Sequence, residues 1–287
     1  MKLSVIGNER GVKLLNDIMP MKRACLADLP FLSSDTLVFS ISAPIIPKNV
    51  IDSCKCTLVN LHTAPLPHYR GCATDSWMIL NGDDGKWHYG CAHYLIEKID
   101  AGNIIAVQPF YVPEHAYPVH VWKARVATLP SLVRQTITLL QMGFKGIPQD
   151  ETKAHYFRRL NTDIDGEINW RQPAYMVERK VRAFRDPYLG AWMEWEGKRV
   201  RILNGWVEGD VPAEYVRYGV PWACAGGNYV ITKVELKPGE QFTAKEFFGK
   251  DSRPADHDRA ICGCHSDTVQ QCMFWDGEGG CVHPPRR

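Results

Sequence analysis

Short apolar runs separated by polar loops fill the first hundred residues, which is the pattern of alternating strands and helices. Residues 2–6 and 36–41 predict two buried strands, and residues 11–19 have the apolar spacing of a helix between them. Residues 57–61 form a third, partly β-branched run that ends before a proline-containing loop. The pattern predicts an α/β domain with a Rossmann-like sheet. The glycines after the first strand do not complete a dinucleotide fingerprint, so we expect no nicotinamide site.

Two polar side chains stand at the end of the third run. Asn60 and His62 are two residues apart, so on a strand they project to the same side, while Leu61 packs behind them. In open α/β sheets the ligand crevice lies beyond the carboxyl ends of the strands. The pattern therefore places an amide and an imidazole together at a candidate site.

A carboxylate follows on a tight connection between two further predicted strands. Residues 90–96 alternate in polarity, and residues 103–107 form the next apolar run. Asp100 lies between them, just before the turn at Ala101 and Gly102. We expect its carboxylate to point back at a neighbouring strand end.

The order of motifs resembles the formyltransferase family that uses 10-formyltetrahydrofolate, and the resemblance covers residues 38–110. The matching motifs are Asn60-x-His62, the loop Pro65-Leu66-Pro67, Arg70-Gly71, Asn81-Gly82-Asp83, Gly90 with His93, and Ile99-Asp100-x-Gly102. Fewer residues precede Asn60 than the family usually has, so we expect a shortened N-terminus. The resemblance implies a Rossmann-like formyltransferase catalytic domain followed by a smaller, mainly β, barrel-like C-terminal domain.

The resemblance assigns the catalytic roles to Asn60, His62 and Asp100. Attack of an amine on a formamide carbon produces an oxyanion and an ammonium proton. His62 would hydrogen-bond that oxyanion or take the proton, and Asp100 would fix the tautomer of His62 and favour its charged form. Asn60 would donate an N–H to the same oxygen. This scheme requires no metal.

The resemblance also indicates residues for the two substrates. The folate cosubstrate is expected to contact the apolar loop and the following strand end, at Ser42, Ile45, Ile46, Pro47, Ile96 and Lys98. The alternative for that loop is a proline-rich strand-to-helix connection. The acceptor is expected at Arg70, Gly71, Trp77, His93 and Tyr94, each of which could instead be a packing residue.

The second half of the chain has weaker patterns. Residues 119–142 predict one long helix, residues 174–184 another, and residues 192–195, 199–203 and 229–236 short strands of a small barrel or open sheet, closed by a helix at 242–248. The predicted organisation is a catalytic domain (1–145), a linker with helices (146–190), a β domain (191–254) and a Cys/His-containing tail (255–287).

Composition limits the remaining possibilities. With 45% hydrophobic residues and no apolar run of membrane-spanning length, the 287-residue chain is expected to be cytoplasmic, with its ten cysteines reduced. Cys54 and Cys56 are too close in sequence for a relaxed bridge. The cysteines and histidines of the tail fit no standard zinc spacing, so we expect a loosely ordered tail rather than a metal site.

The sequence leaves more than one acceptor open. The motifs most resemble sugar N-formyltransferases, which implies a nucleotide-linked amino sugar such as a dTDP- or UDP-4-amino-4,6-dideoxyhexose, and a homodimer. A methionyl-tRNA formyltransferase is the alternative, although a formal net charge of +2 gives little support for binding nucleic acid. A non-catalytic folate- or nucleotide-binding protein is the third hypothesis.

Overall fold

The computed structural model describes residues 1–249, which form two compact units. The N-terminal unit contains residues 1–77 and 83–159, and the C-terminal unit contains residues 78–82 and the described residues from 160 onward. Residues 146–159, which the sequence pattern assigns to a linker, are thus part of the N-terminal unit. The Cys/His-containing tail lies outside the described residues.

The N-terminal unit is built on a six-stranded sheet in the order β2-β1-β3-β4-β6-β7. Its strands are β1 (Lys2–Gly7), β2 (Lys22–Arg23), β3 (Thr36–Ile41), β4 (Thr57–His62), β6 (Lys86–Tyr94) and β7 (Ile104–Val112). The first four strands are parallel, whereas β6 and β7 are antiparallel to their neighbours. A separate two-stranded parallel pair joins β5 (Arg70–Gly71) to β8 (Tyr156–Phe157). The predicted α/β class is confirmed.

Helices cover this sheet and bury its apolar side chains. They are α1 (Glu9–Ile18), α2 (Lys48–Ser53), α3 (Thr74–Leu80), α4 (Pro118–Val126) and α5 (Leu129–Gln141), and the division between the two units falls within α3. Leu15 of α1 and Leu132 of α5 are fully buried in one cluster with Phe39 and Val59 of the central strands. This packing fixes the end of β4, where the candidate site lies.

The predicted single helix over residues 119–142 is wrong, because the structure has two helices there. α4 ends at Val126 and α5 begins at Leu129, with Thr128 between them in the N-cap position. Pro130 occupies the first turn of α5, where its missing N–H needs no partner. Inside a continuous helix the same proline would clash with the preceding turn.

The C-terminal unit contains an antiparallel sheet of five strands. Its order is β11-β12-β10-β9, and β13 pairs with β12. The strands are β9 (Trp192–Trp195), β10 (Lys198–Val207), β11 (Val220–Cys224), β12 (Gly227–Lys237) and β13 (Glu240–Thr243), and the helices are α6 (Thr162–Asp165), α7 (Ala174–Ala183), α8 (Ala213–Val216) and α9 (Ala244–Phe248). The expectation of a mainly β C-terminal domain is confirmed. Trp222 and Tyr229 are fully buried in its core.

The predicted closing helix begins later than its apolar pattern indicates. Phe242 lies on β13, and α9 starts only after Thr243. The Thr243 side chain accepts a hydrogen bond from the Glu246 N–H, and the Glu246 carboxylate accepts from the Thr243 N–H. This capping box fixes the start of the helix. Within residues 1–249, every helix is too short or too polar to cross a membrane.

Candidate active site

Strand register brings three polar side chains to one side of the sheet. In the antiparallel pairing of β4 with β6, Asn60 is opposite His93 and His62 is opposite Cys91. Asn60 and His62 share a face because side chains alternate along a strand. His93 is 2% exposed in its side chain and belongs to this group, with its Nε2 3.2 Å from Asn60 Nδ2.

The turn between β6 and β7 carries the carboxylate into the same cluster. Asp100 has a φ of +52°, in the left-handed region that few non-glycine residues adopt. Its Oδ2 lies 3.5 Å from His62 Nδ1 and accepts a 2.8 Å hydrogen bond from the Gly71 N–H. Its Oδ1 accepts a 3.1 Å hydrogen bond from Asn60 Nδ2. The amide, the imidazole and the carboxylate singled out in the sequence are therefore adjacent.

The tautomer of neutral His62 is fixed by a backbone carbonyl. His62 Nε2 lies 2.6 Å from the carbonyl oxygen of Tyr69, which can only accept a hydrogen bond. Nε2 therefore carries the proton, and Nδ1 keeps its lone pair 3.5 Å from Asp100 Oδ2. The expectation that Asp100 fixes this tautomer is wrong, because a carboxylate cannot donate to that lone pair. Asp100 is instead placed to receive the N–H that forms when Nδ1 takes up a proton.

The amide hydrogens of Asn60 already have protein partners. His93 Nδ1 lies 2.8 Å from the Tyr94 carbonyl and must donate to it, which leaves Nε2 of neutral His93 as an acceptor for Asn60. The second amide hydrogen points to Asp100. To serve as an oxyanion donor, Asn60 has to exchange one of these partners for the substrate oxygen.

Burial and charge set the ionisation of the His62–Asp100 pair. Burial lowers the pKa of His62 below its ordinary value of 6.5, and the attraction of Asp100 does not offset this. Burial acts to raise the pKa of Asp100, but the charge that His62 carries when protonated, the nearby His93 imidazole and the Gly71 N–H outweigh it, and the pKa falls to about 2. At neutral pH the pair is a neutral imidazole beside a carboxylate, as a proton acceptor requires.

The pH dependence of kcat/KM should reflect this pair. Protonation of His62 removes the acceptor, so activity should fall on the acid side only below pH 6.5, the ordinary value for histidine. Asp100 stays ionised down to about pH 2 and adds no limb of its own. The profile should be measured between about pH 5 and pH 8, with the titration of the acceptor amine determined separately. An acid limb centred above 6.5 would contradict the assignment.

Several residues expected to bind the acceptor have other partners. Arg70 is 3% exposed, and its guanidinium is bonded to Gln149 and Glu151, so it presents no free cation. Gly71 contributes its N–H to Asp100. Trp77 donates its indole N–H to the Arg158 carbonyl.

A shared acceptor surface would need His93 and Tyr94 on the same side of the sheet. The two side chains instead lie on opposite sides. The Tyr94 hydroxyl donates to the Phe144 carbonyl, and its ring lines a cavity of about 350 Å³ together with Asp35 and Leu140. His93 faces Asn60 instead. The two-residue alternation of a strand separates neighbouring side chains in this way.

The loop expected to bind folate presents apolar side chains to solvent. Ile45 is 73% exposed and Ile96 is 44% exposed, whereas Ile46 is buried in a cluster against which Ala43 and Leu95 also pack. The loop and the end of β6 are therefore neighbours. Exposed, non-polar side chains beside a polar cluster fit a flat aromatic ring. The remaining expected contacts, Ser42, Pro47 and Lys98, are exposed, and Lys98 pairs with Glu151.

An exposed aromatic ring beside Asp100 was not singled out in the sequence. Tyr156 of β8 is 53% exposed, and a Cβ at residue 71 would lie 3.0 Å from its ring. Partial burial raises its pKa, and the carboxylate of Asp100 acts in the same direction. No local pattern connects residue 156 to residue 100, since only the pairing of β5 with β8 brings them together.

Replacing Gly71 with alanine should damage both stability and activity. Gly71 has a φ of +98°, and a Cβ there would lie 2.1 Å from the Phe157 carbonyl oxygen. The resulting shift of the backbone would break the β5–β8 pairing and the hydrogen bond from the N–H of residue 71 to Asp100. We expect a loss of about 1–3 kcal/mol in the free energy of unfolding, measured with denaturant, and a lower kcat.

Gly143→Ala is the matched control for this substitution. Gly143 has a φ of +78° with nothing within 4 Å of the added Cβ, so it reports backbone strain without the collision. If both variants lose equal stability and neither loses kcat, the contact of Gly71 with Asp100 has no role in activity.

Two models of one protein family match the chain. Residues 17–129 match the model of the formyl transferase family, and residues 161–252 match the model of the formyl transferase C-terminal domain. The chain belongs to the formyltransferase family. Members of this family are enzymes that transfer formyl groups, and the matched segment includes the whole Asn60, His62 and Asp100 cluster.

A curated relative is named for a tRNA acceptor. A methionyl-tRNA formyltransferase of Roseiflexus castenholzii is 32% identical over 189 residues, which is 65% of this formyltransferase chain and 59% of that protein. The chain thus spans about three fifths of the length of this curated relative.

Two solved structures share the fold. The N-formyltransferase of Helicobacter canadensis, in complex with folinic acid and dTDP-3-aminofucose, aligns with a TM-score of 0.63 at 18% identity, over 80% of this chain and 98% of that one. HypX of Aquifex aeolicus in complex with tetrahydrofolic acid aligns with a TM-score of 0.60 at 19% identity, over 87% of this chain and 47% of that one.

Proposed function

We propose that this protein transfers a formyl group from 10-formyltetrahydrofolate to the amino group of a nucleotide-linked amino sugar. The observation that carries the proposal is the cluster of Asn60, His62 and Asp100 at the end of β4. It combines a neutral proton acceptor, an ionised partner for that acceptor and an amide donor. These are the groups that formyl transfer to an amine requires.

Each residue of the cluster has a separate role in the proposed reaction. As the acceptor nitrogen bonds to the formyl carbon, its excess proton passes to His62 Nδ1, the nitrogen left unprotonated by the Tyr69 carbonyl. Asp100 stabilises the resulting imidazolium, and Asn60 donates an N–H to the oxyanion. When the bond from the formyl carbon to the folate nitrogen breaks, His62 returns the proton to that nitrogen. The cycle ends with neutral His62 and ionised Asp100.

The folate cosubstrate is assigned to the apolar surface around Ile45 and Ile96. Both side chains are exposed, which suits burial of a pterin ring. Ile45 follows β3, which pairs with β4 next to Asn60, and Ile96 comes four residues before Asp100. Burial of such a ring would exclude water from the formyl carbon. The folates bound to the Helicobacter and Aquifex proteins support a folate as the cosubstrate.

A nucleotide-linked amino sugar is the preferred acceptor because the chain has little net charge and a structural neighbour contains such a sugar. The formal net charge of +2 gives little attraction for a tRNA backbone. The Helicobacter enzyme, whose structure contains a dTDP-linked amino sugar, is matched over 98% of its chain. Tyr156, half-exposed beside Gly71, offers an aromatic face on which a base or sugar could stack.

Methionyl-tRNA formylation is the second candidate, because the curated relative with 32% identity has that name. In that case the exposed basic residues of the C-terminal unit would contact the acceptor. A folate- or nucleotide-binding protein without activity is the third possibility, and the intact cluster argues against it.

An acceptor panel tests these alternatives. The protein and 10-formyltetrahydrofolate are incubated with dTDP- and UDP-linked 4-amino and 3-amino sugars, or with methionylated initiator tRNA, and tetrahydrofolate release and product mass are measured. We expect turnover with one sugar nucleotide and none with tRNA, and the His62→Ala variant serves as the inactive control. Turnover with tRNA alone would favour the second candidate, and no turnover with any acceptor would contradict formyl transfer to these amines.

A further inference from the structure

The Asp100 turn is held by a side chain far away in sequence. Gln149 Nε2 donates two hydrogen bonds, of 2.7 Å to the Asp100 carbonyl and 2.8 Å to the Gly102 carbonyl. Both carbonyls belong to the turn that gives Asp100 its left-handed backbone. The turn is also closely packed against β6, since a Cβ at Gly102 would lie 1.8 Å from the Tyr94 carbonyl oxygen.

The orientation of the Gln149 amide is fixed by a buried cation. Its Oε1 accepts hydrogen bonds from Arg70 Nε at 3.1 Å and from Arg70 Nη2 at 2.8 Å. A guanidinium can only donate and a carbonyl can only accept, so the amide cannot be reversed without losing all four bonds. The remaining Arg70 donors bind Glu151, which also pairs with Lys98.

This network reaches the Asp100 carboxylate by a second route. Arg70 is followed by Gly71, whose N–H donates to Asp100 Oδ2. Gln149 therefore holds the backbone of the turn, and the residue after its partner Arg70 holds the carboxylate. Asp100 Oδ2 is 3.5 Å from His62 Nδ1, at the outer limit for a hydrogen bond, so a displacement away from His62 would remove the contact.

We propose that Gln149 is a positioning residue, which holds the Asp100 turn so that the carboxylate stays beside His62. It acts through Asp100 and is not assigned a contact with substrate. The kinetic test of this inference rests on the proposed function. The effect of Gln149 on the Asp100–His62 contact, however, is measurable without any substrate.

Gln149→Met is the first test, because it keeps the chain length and neutrality of the side chain but removes its donors and acceptor. Asp100 should then move away from His62, and the pKa of His62, measured by NMR titration of the imidazole, should fall further. We expect kcat to decrease by up to about 10²-fold with little change in KM, as for a misplaced catalytic group. Gln108→Met is the control, since Gln108 pairs with Gln135 away from the site.

Gln149→Glu separates the two sets of bonds. A carboxylate keeps an acceptor for Arg70 but cannot donate to the carbonyls of Asp100 and Gly102. Loss of kcat in this variant as well supports positioning through the turn, whereas full kcat would overturn it. This variant also decides the matter if Gln149→Met does not fold.

The NMR titration distinguishes failure of the positioning role of Gln149 from failure of the proposed function. An unchanged pKa of His62 and unchanged kcat in folded Gln149→Met would overturn the positioning role. If the unmodified protein turns over no acceptor, the proposed function fails, while a shift in the His62 pKa would still support the positioning of Asp100 by Gln149.

Discussion

Replacing His62 with alanine is expected to lower kcat by about 10²–10⁴-fold, the usual contribution of a general acid–base group. The variant loses the nitrogen that faces Asp100 and with it the acceptor for the amine proton. Its side chain is 10% exposed, so the substitution also leaves a nearly buried cavity. Folding should persist, and circular dichroism with thermal unfolding would verify this beside the formyl-transfer assay.

His68→Ala provides the control for this variant. His68 is exposed and lies six residues further along the chain, so the substitution removes an imidazole without touching the cluster. We expect its kcat to equal that of the unmodified protein. Retention of most activity in folded His62→Ala would exclude the proposed proton transfer.

Asp100→Asn should have an effect of similar size although it changes only one atom and one charge. The carboxylate oxygens accept hydrogen bonds from the Asn60 side chain and the Gly71 N–H. An asparagine amide has one acceptor oxygen, so its NH₂ group must face one of these donors. The variant also lacks the charge that stabilises protonated His62. We expect kcat to fall by about 10²–10⁴-fold and the pKa of His62 to decrease.

Asp17→Asn is the matched control, because Asp17 is exposed on α1 and pairs only with Lys13 among the salt bridges of the described residues. It carries the same change of charge away from the site and should leave kcat unchanged. NMR titration of His62 checks whether the charge of Asp100 raises the pKa of the imidazole. A raised or unaltered His62 pKa in Asp100→Asn would mean that the carboxylate does not act on the imidazole as described.

The candidate site was partly predictable because its signals are local. Asn60 and His62 lie two residues apart on an apolar run, and the two-residue alternation of a strand places both on one face whatever the rest of the fold does. The same rule places the side chains of His93 and Tyr94 on opposite faces of β6. Pro130 likewise marked the break between α4 and α5.

Other features had no local signal. The roles of Arg70 and Gln149 depend on each other across 79 positions of sequence, and an arginine beside a glycine gives no indication that its charge is buried. The tautomer of His62 depends on where the loop places the Tyr69 carbonyl. The proximity of Tyr156 to Asp100 follows from a two-residue parallel pairing that is too short to predict.

The sequence by itself determined the α/β class, the β domain that follows it, and the strand that presents Asn60 and His62, since these follow from periodicity and from motifs within a few residues. Only the tertiary structure decided which partners each polar group has. A hydrogen bond requires distance and direction between atoms that the chain brings together from remote positions. The orientation of Asp100 by Gly71, and of its turn by Gln149, is therefore a property of the fold.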